Sequence, residues 1–377
     1  MSNAVIAGYA RSPFHVAGKG ALAGLRPDDL GAQVIRGLLA RTKVDPSLIE
    51  DVILGCAFPE GEQGLNVARM IALLADLPLS VGGMTVNRFC GSSMSAIHIA
   101  MGQIAIGAGE AFICAGLESS SRVPMGGFNP LPNPRLAAKS AAYMSMGETA
   151  ENVARQYQIS RAEQEAFALN SQQKAAAARK QGRLAGEIVP IETNAGTISE
   201  DGTIRPDTTI EALAGLKPAF SQEGTVTAGT SSPLTDGAAA VLVCSEDFAQ
   251  RSGLEVLARI RSVAISGCQP ETMGLGPIAA SRTALERAGI QPGDFAIVEI
   301  NEAFASQAIA CIRDLGLKEE TINIDGGAIA IGHPLGATGA RIVGKAAALL
   351  EREGGRYALA TQCIGGGQGI ATVLERA

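Results

Sequence analysis

Two distant stretches of this 377-residue chain lie over each other without a gap. "LARTKVDPSLIEDVILGCAF" (39–58) and "LERAGIQPGDFAIVEINEAF" (285–304) share leucine, arginine, proline, valine and a closing Ala-Phe at a constant offset of 246. Each reads as a helix end, a proline turn and an apolar strand. A repeat of this length means two similar halves, which restricts the chain to folds with internal pseudo-symmetry. The ends of the halves also match: "GAAAVLVCSE" (237–246) and "GIATVLERA" (369–377) are short apolar strands behind a glycine. In the C-terminal half that strand follows "YALATQC" through a glycine turn. In the N-terminal half its partner, "EAFICAGLES" (110–119), lies more than a hundred residues upstream. Residues 121–234 are therefore expected to be an insertion. The expected units are an N-terminal half (1–120 plus 235–255), the insertion (121–234) and a C-terminal half (256–377).

In both halves β-rich apolar runs alternate with helical patterns, so an α/β architecture with a mostly parallel sheet is expected. The insertion opens on a Pro/Gly-rich loop, "VPMGGFNPLPNP". A capping box of Ser160 and Glu163 starts a helix whose expected stop is Gly182. Ligands in such sheets bind at the carboxyl ends of strands, so the loops there are where chemistry is sought.

A net charge of −6, 4% aromatic residues and no basic tract argue against nucleic acid as a partner. No apolar run reaches the roughly 18–20 residues of a membrane span. "MSNAVIAGYARSPF" lacks the basic start and apolar run of a signal peptide, so a cytoplasmic location is expected. Seven cysteines with no C-x-x-C pair give neither a disulfide framework nor a structural zinc site. Most read as small buried hydrophobes.

Four loops carry candidate chemistry. In "VNRFCGSSMSA" an apolar strand is expected to end at Cys90, where a helix begins. A cysteine at a helix N-terminus meets unpaired N–H groups and a positive dipole end, which favour thiolate; a small buried residue at a tight junction is the competing reading. In "GGAIAIGHPLGATGARI" (326–342) His333 is held between Gly332 and Pro334, where a rigid loop aims the imidazole as a base requires. The other histidines, His15 and His98, have no such setting. In "VEINEAFASQ" (298–307) Asn301 and Glu302 interrupt an apolar transition. Asn301 can donate to an oxyanion or cap a helix. In "CIGGGQG" Cys363 precedes Gly365, Gly366 and Gly367, which strip Cβ atoms from the backbone and let a ligand approach. Two cysteines and a histidine on glycine-rich loops suit thiolate attack on a carbonyl, with a second thiol moving protons and backbone N–H groups holding the oxyanion. "GGGQG" is no dinucleotide fingerprint, because a strand and not a helix follows it.

"VNRFCGSSMSA", "NEAFA", "GGAIAIGHPLGATGAR" and "CIGGGQG" resemble the four signature blocks of the thiolase family, in the same order, and the resemblance spans the whole chain. It implies the thiolase fold: two similar βαβ-rich halves packed as α-β-α-β-α layers with an inserted loop domain covering coenzyme A. It implies Cys90 as the acyl-carrying nucleophile, activated by His333. A water held by Asn301 would complete one oxyanion site with His333, and the N–H groups of Cys90 and Gly365 would form another. Cys363 would be the acid/base at the substrate carbon. Arg205, Phe220, Ser232 and Met146 match positions that contact coenzyme A. No metal or permanently bound cofactor is implied, and coenzyme A enters as substrate.

"CGSSM", "SSPLTDGAA" and Ser145 in place of a histidine before "MGETAEN" resemble the degradative branch. The implied activity is thiolytic cleavage of 3-ketoacyl-CoA by CoA to acetyl-CoA and a shortened acyl-CoA, in fatty acid β-oxidation. The loss of that histidine would open the acyl channel to a longer tail. A biosynthetic acetoacetyl-CoA thiolase, a ketoacyl synthase, a non-catalytic acyl-CoA-binding protein and a redox dithiol are the alternatives. Family members assemble as homodimers or homotetramers, degradative ones sometimes with a hydratase/dehydrogenase subunit.

Overall fold

The 246-residue offset runs through much of the three-dimensional structure, a computed structural model that describes residues 3–377. The strands in chain order are β1 (Ala4–Arg11), β2 (His15–Val16), β3 (Asp51–Gly55), β4 (Gly82–Val86), β5 (Ala111–Ser119), β6 (Ile191–Thr193), β7 (Gly196–Ile198), β8 (Thr235–Ser245), β9 (Ala258–Gly267), β10 (Phe295–Ile300), β11 (Tyr357–Ile364) and β12 (Gln368–Glu375). The turn Pro46–Leu48 recurs as Pro292–Asp294, β5 and β11 start 246 residues apart, and so do the helices Ser92–Ala105 and Thr338–Glu353. The correspondence fails at β4, where the second half has the short helix Ala328–Ile331.

The main sheet runs β10-β11-β12-β9-β1-β8-β5-β3-β4, with β2 beside β8. It is mixed, contrary to the mostly parallel expectation. Only β3/β4, β3/β5 and β10/β11 are parallel. The reason lies in the connections: β11 reaches β12 through Gly365–Gly367, and so short a turn permits only antiparallel pairing. β5 and β8 form the same antiparallel pair in the first half, with residues 120–234 leaving and returning between them. The two halves of the sheet join where Val5 and Ile6 pair with Arg259 and Ala258.

Strand alternation divides the core. Ala111, Ile113, Ala115 and Leu117 of β5 pack outward with the helix Pro27–Thr42, whereas Phe112 and Cys114 face inward. In β12 Ala371 and Val373 face the helix Gly276–Ala288, and Ile370 and Leu374 face inward. The inward sets of both halves enclose the helices Ser92–Ala105 and Thr338–Glu353. Helix, sheet, helix pair, sheet and helix thus follow one another through the molecule.

The central helices meet at their N-terminal ends. Gly339 lies so close to the Met94 nitrogen that a Cβ would collide with it, and the Ala340 N–H donates to Ser93 Oγ (2.8 Å). Gly55 and Gly116 leave room for Ser92 and Ser93 in the same way. The loops that precede these helices are therefore brought face to face.

In the insertion the helix Arg161–Lys180 has both bonds of the Ser160–Glu163 capping box, and Gly182 (φ +72°) follows its end. Fully buried Arg11 pairs with Glu187 (2.8 Å) and Asp201 (2.7 Å), and Lys345 pairs with Glu187 (2.9 Å) and Asp325 (2.6 Å). Among the described residues no helix is long and apolar enough to cross a membrane.

Gly339→Ala should destabilise the fold by about 1–3 kcal/mol, since the opposing atom is backbone and cannot rotate away. Gly102→Ala, in the same helix pair but with open space around it, should stabilise by about 0.5–1 kcal/mol. Chemical denaturation of both variants checks the contrast, and equal effects would contradict the close approach.

Candidate active site

Cys90 stands on a strained turn. β4 ends at Val86, four residues before the position expected from the sequence, and Phe89 adopts φ +44°. That left-handed conformation is uncommon for a bulky residue and persists where surrounding bonds hold it. Here the Phe89 N–H donates to Asn87 Oδ1 (2.8 Å), and Ser92 Oγ donates to the Phe89 carbonyl (2.6 Å). The turn presents Cys90 just ahead of the helix Ser92–Ala105.

The helix dipole was expected to favour thiolate at Cys90. Burial wins instead: it pushes the thiol up to about 11, and the Gly365 N–H directed at the sulfur offsets only part of this. Desolvation of a charge outweighs a partial dipole charge where water is excluded. Gly365 is thereby placed against the Cys90 sulfur. Gly366 and Gly367, at φ +80° and +85°, complete a turn that side chains would strain.

Cys363, at the end of β11, is 1% exposed and packs with Ala150, Val226, Met273, Ala303 and Phe304. Burial raises its thiol well above the ordinary value, and the nearby Cys90 adds to the effect. Gln362 Nε2 donates to the Cys90 carbonyl (2.5 Å), which ties this strand end to the Cys90 turn.

His333 is 5% exposed. Its Nδ1 lies 2.6 Å from Thr338 Oγ1, and that hydroxyl donates to the Pro334 carbonyl (3.0 Å). Because the single hydroxyl hydrogen is committed, Thr338 accepts from Nδ1–H, which assigns the lone pair to Nε2. Asn301 Nδ2 lies 3.3 Å from Nε2. Burial, and then the charge of Arg341, depress the imidazole to about 3, so it is neutral at physiological pH. It is an unprotonated base aimed into the site.

Asn301 follows β10, and its N–H donates to the Thr361 carbonyl (3.0 Å) two residues before Cys363. Its Oδ1 is buried and unpartnered among the described residues. Glu302 points the other way and accepts from Ser171 Oγ (2.6 Å), Asn323 Nδ2 (2.7 Å) and the Ile329 N–H (3.1 Å). It anchors the loop that carries Asn301.

Of the four residues matched to coenzyme A contacts, three border these loops. Met146 packs beside Gly365 and the Cys363 cluster. Phe220 covers Gly147 and meets Phe304 edge-on, with centroids 5.9 Å apart. The Ser232 N–H donates to the Ala303 carbonyl (3.0 Å). Arg205 is exposed; its backbone N–H donates to Gln172 Oε1 (2.8 Å), and its guanidinium makes no hydrogen bond or ion pair among the described residues. Ser145, taken from the sequence as a change in the acyl channel, is exposed and caps the helix Met146–Gln156 through a capping box with Glu148. Sequence reasoning missed Thr338, Gln362 and Glu118. Only Glu118 left a sign, as a lone carboxylate ending an otherwise apolar strand.

Residues 4–247 match the family model described as thiolase, N-terminal domain, and residues 254–376 match that of thiolase, C-terminal domain. The chain is 47% identical over 389 aligned positions to a 3-ketoacyl-CoA thiolase of Bacillus subtilis (strain 168), covering 100% of both chains. It is 48% identical to a 3-ketoacyl-CoA thiolase of Shewanella denitrificans, again over 100% of both. The solved structure of human mitochondrial 3-ketoacyl-CoA thiolase in complex with CoA superposes with a TM-score of 0.93 at 36% identity, covering 100% of this chain and 98% of that one.

A thiol held near pKa 11 remains largely protonated at neutral pH. Alkylation of Cys90 by iodoacetamide, followed by peptide mass spectrometry, should keep climbing from about pH 7 to pH 10. A plateau by about pH 8 would show that the helix dipole had overcome burial.

Proposed function

Because the chain belongs to the thiolase family, we propose that it cleaves 3-ketoacyl-CoA with CoA, giving acetyl-CoA and a shortened acyl-CoA. The observation that carries the residue assignments is the gathering of half-buried Cys90 and buried Cys363, both thiols raised, with a neutral imidazole whose unprotonated Nε2 faces Asn301 Nδ2. His333 Nε2 takes the Cys90 proton as the sulfur attacks the 3-oxo carbon. The oxygen that gains charge is met by the N–H groups of Cys90 and Gly365. The bond between C2 and C3 then breaks, leaving the acyl group on Cys90 and the electron pair on the acetyl-CoA enolate. Cys363 gives its proton to that carbon, while Asn301 and His333 stabilise the enolate oxygen. The incoming CoA thiol gives its proton to the Cys363 thiolate and attacks the acyl-Cys90 carbonyl, and the Cys90 sulfur leaves and takes back the proton held by His333. Keeping the groups neutral beforehand suits a closed site, because charge appears only when substrate brings the partner that absorbs it.

The inserted segment 121–234 is the cover for coenzyme A in this reading, supported by Met146, Phe220 and Ser232 at the edge of the catalytic loops. A second copy of the chain is the proposed partner at β4. That strand ends the sheet with one neighbour, and exposed Leu65 and Leu79 flank it. Light scattering should give twice the chain mass, and a monomer at micromolar concentration would remove this part of the reading.

Intact-protein mass spectrometry with 3-ketoacyl-CoA substrates of increasing length, without free CoA, tests the mechanism. The expected result is one acyl mass on Cys90, absent in Cys90→Ala. Cys363→Ala should still acylate from an acyl-CoA donor yet lose thiolysis by at least about a hundredfold. A folded wild-type protein that takes up no acyl group at any length would overturn the assignment.

A further inference from the structure

Glu118 is the penultimate residue of β5 and 1% exposed, yet among the described residues no cation pairs with it. Its carboxylate is instead surrounded by donors. Oε2 accepts from the Ala57 N–H (2.8 Å) and the Gly336 N–H (3.0 Å). Oε1 accepts from the Phe58 N–H (3.2 Å) and Gln63 Nε2 (2.9 Å). Burial raises the Glu118 carboxyl above the ordinary value, and the donors at both oxygens oppose that rise and favour the ionised form. Such burial is tolerated because four N–H groups replace water, three of them backbone amides and the fourth the Gln63 side chain.

The donors belong to the His333 loop and to the segment after β3 that lies behind the Cys90 turn. Gly336 lies midway between His333 and Thr338, the residue that sets the imidazole's tautomer, and it stands at the position equivalent to Cys90 under the 246-residue offset. Ala57 and Phe58 brace the Cys90 turn: the Ala57 carbonyl accepts from Asn87 Nδ2 (3.0 Å), and the Phe58 ring packs against Phe89 at 6.0 Å. A bulkier backbone could not make this junction, because Gly116 and Gly336 lie in direct contact.

We propose that Glu118 is a positioning residue whose single carboxylate holds the His333 loop and the loop behind Cys90 in register. The inference rests on Cys90 and His333 being the reacting couple. Glu118 touches neither reacting atom and acts through the two loops. Its negative charge also reaches Cys90 and adds to the rise of that thiol. Removing the charge should therefore ease ionisation of Cys90 even as it loosens the geometry.

The test compares wild type, Glu118→Gln and Glu118→Asp. In Glu118→Gln one oxygen becomes an NH2 group facing N–H donors: at Oε2 it loses the bonds to both loops, and at Oε1 it loses those to Phe58 and Gln63. Single-turnover acylation of Cys90 should fall at least about tenfold while the KM for CoA stays within about threefold. The pH profile of Cys90 alkylation should move to lower pH by about half a unit or more, which a merely structural defect would not produce. Glu118→Asp keeps the charge but is one methylene shorter, so it should keep the wild-type alkylation profile and recover part of the acylation rate. Folded Glu118→Gln with acylation within twofold of wild type, or with an unmoved alkylation profile, overturns the proposal. Should Glu118→Gln fail to fold, Glu118→Asp decides: full wild-type acylation despite the shorter reach also overturns it. A wild-type protein that forms no acyl-Cys90 sinks the reaction reading itself, a result separable from either variant's.

Discussion

The approach of two helix N-termini, made possible by backbones without Cβ atoms, is the contact on which the rest of this structure depends. Gly339 lies against Met94, Gly55 against Ser92 and Ser93, and Gly116 against Gly336. A side chain at Gly339 or Gly116 would spread the two halves, and one at Gly55 would push the helix Ser92–Ala105 away from β3. With glycine there, the loops preceding the helices Ser92–Ala105 and Thr338–Glu353 face each other across the pseudo-symmetry. The same position in the repeat then takes two roles. In one half it carries the thiol of Cys90, and in the other the bare amide of Gly336, bound by Glu118. A repeat gives the geometry twice, and divergence makes one copy reactive and the other supportive.

Enclosure then governs the chemistry. The thiols of Cys90 and Cys363 are raised and the imidazole of His333 is depressed, and burial is the leading cause in each case. The helix dipole, worth at most about 2 kcal/mol near a terminus, is the smaller effect where a thiolate would lose its water. The same exclusion of water strengthens every donor aimed at the substrate, since charge interactions grow as the effective dielectric falls. The site thus holds neutral groups at rest and strong dipoles in waiting. Arg341, buried behind the site and paired with Glu299 (3.0 Å), adds to the pressure that keeps His333 unprotonated.

The repeat, the capping box at Ser160 and the glycine-flanked cysteine and histidine loops were legible because each is a local pattern. Strand direction was not, because alternation of helix and strand does not say that β5 must meet β8 antiparallel after an excursion of more than a hundred residues. The equivalence of β4 with the helix Ala328–Ile331 was hidden for a similar reason, since four apolar residues suit either conformation. Thr338 and Gln362 escaped notice because their roles exist only through contact with His333 and with the Cys90 carbonyl. The ionisation of Cys90 stayed open in the sequence, which displays a helix start but not the burial around it.

The insertion is bound into this arrangement more deeply than a cover would require. Ser171, on its long helix, donates to Glu302, and Glu302 is the neighbour of Asn301. Glu187 and Asp201 neutralise Arg11 of the N-terminal half, and Glu187 also neutralises Lys345 of the C-terminal half. Removing one member of such a buried group leaves a charge uncompensated, at a cost of about 3–5 kcal/mol. The insertion therefore shares the same cooperative interior as both halves. Displacing its helix would withdraw a hydrogen bond from Glu302 and free the loop that aims Asn301 at His333. The segment proposed to cover coenzyme A is thus mechanically joined to the side of the site that holds Asn301 and His333, and the rigidity of one is the alignment of the other.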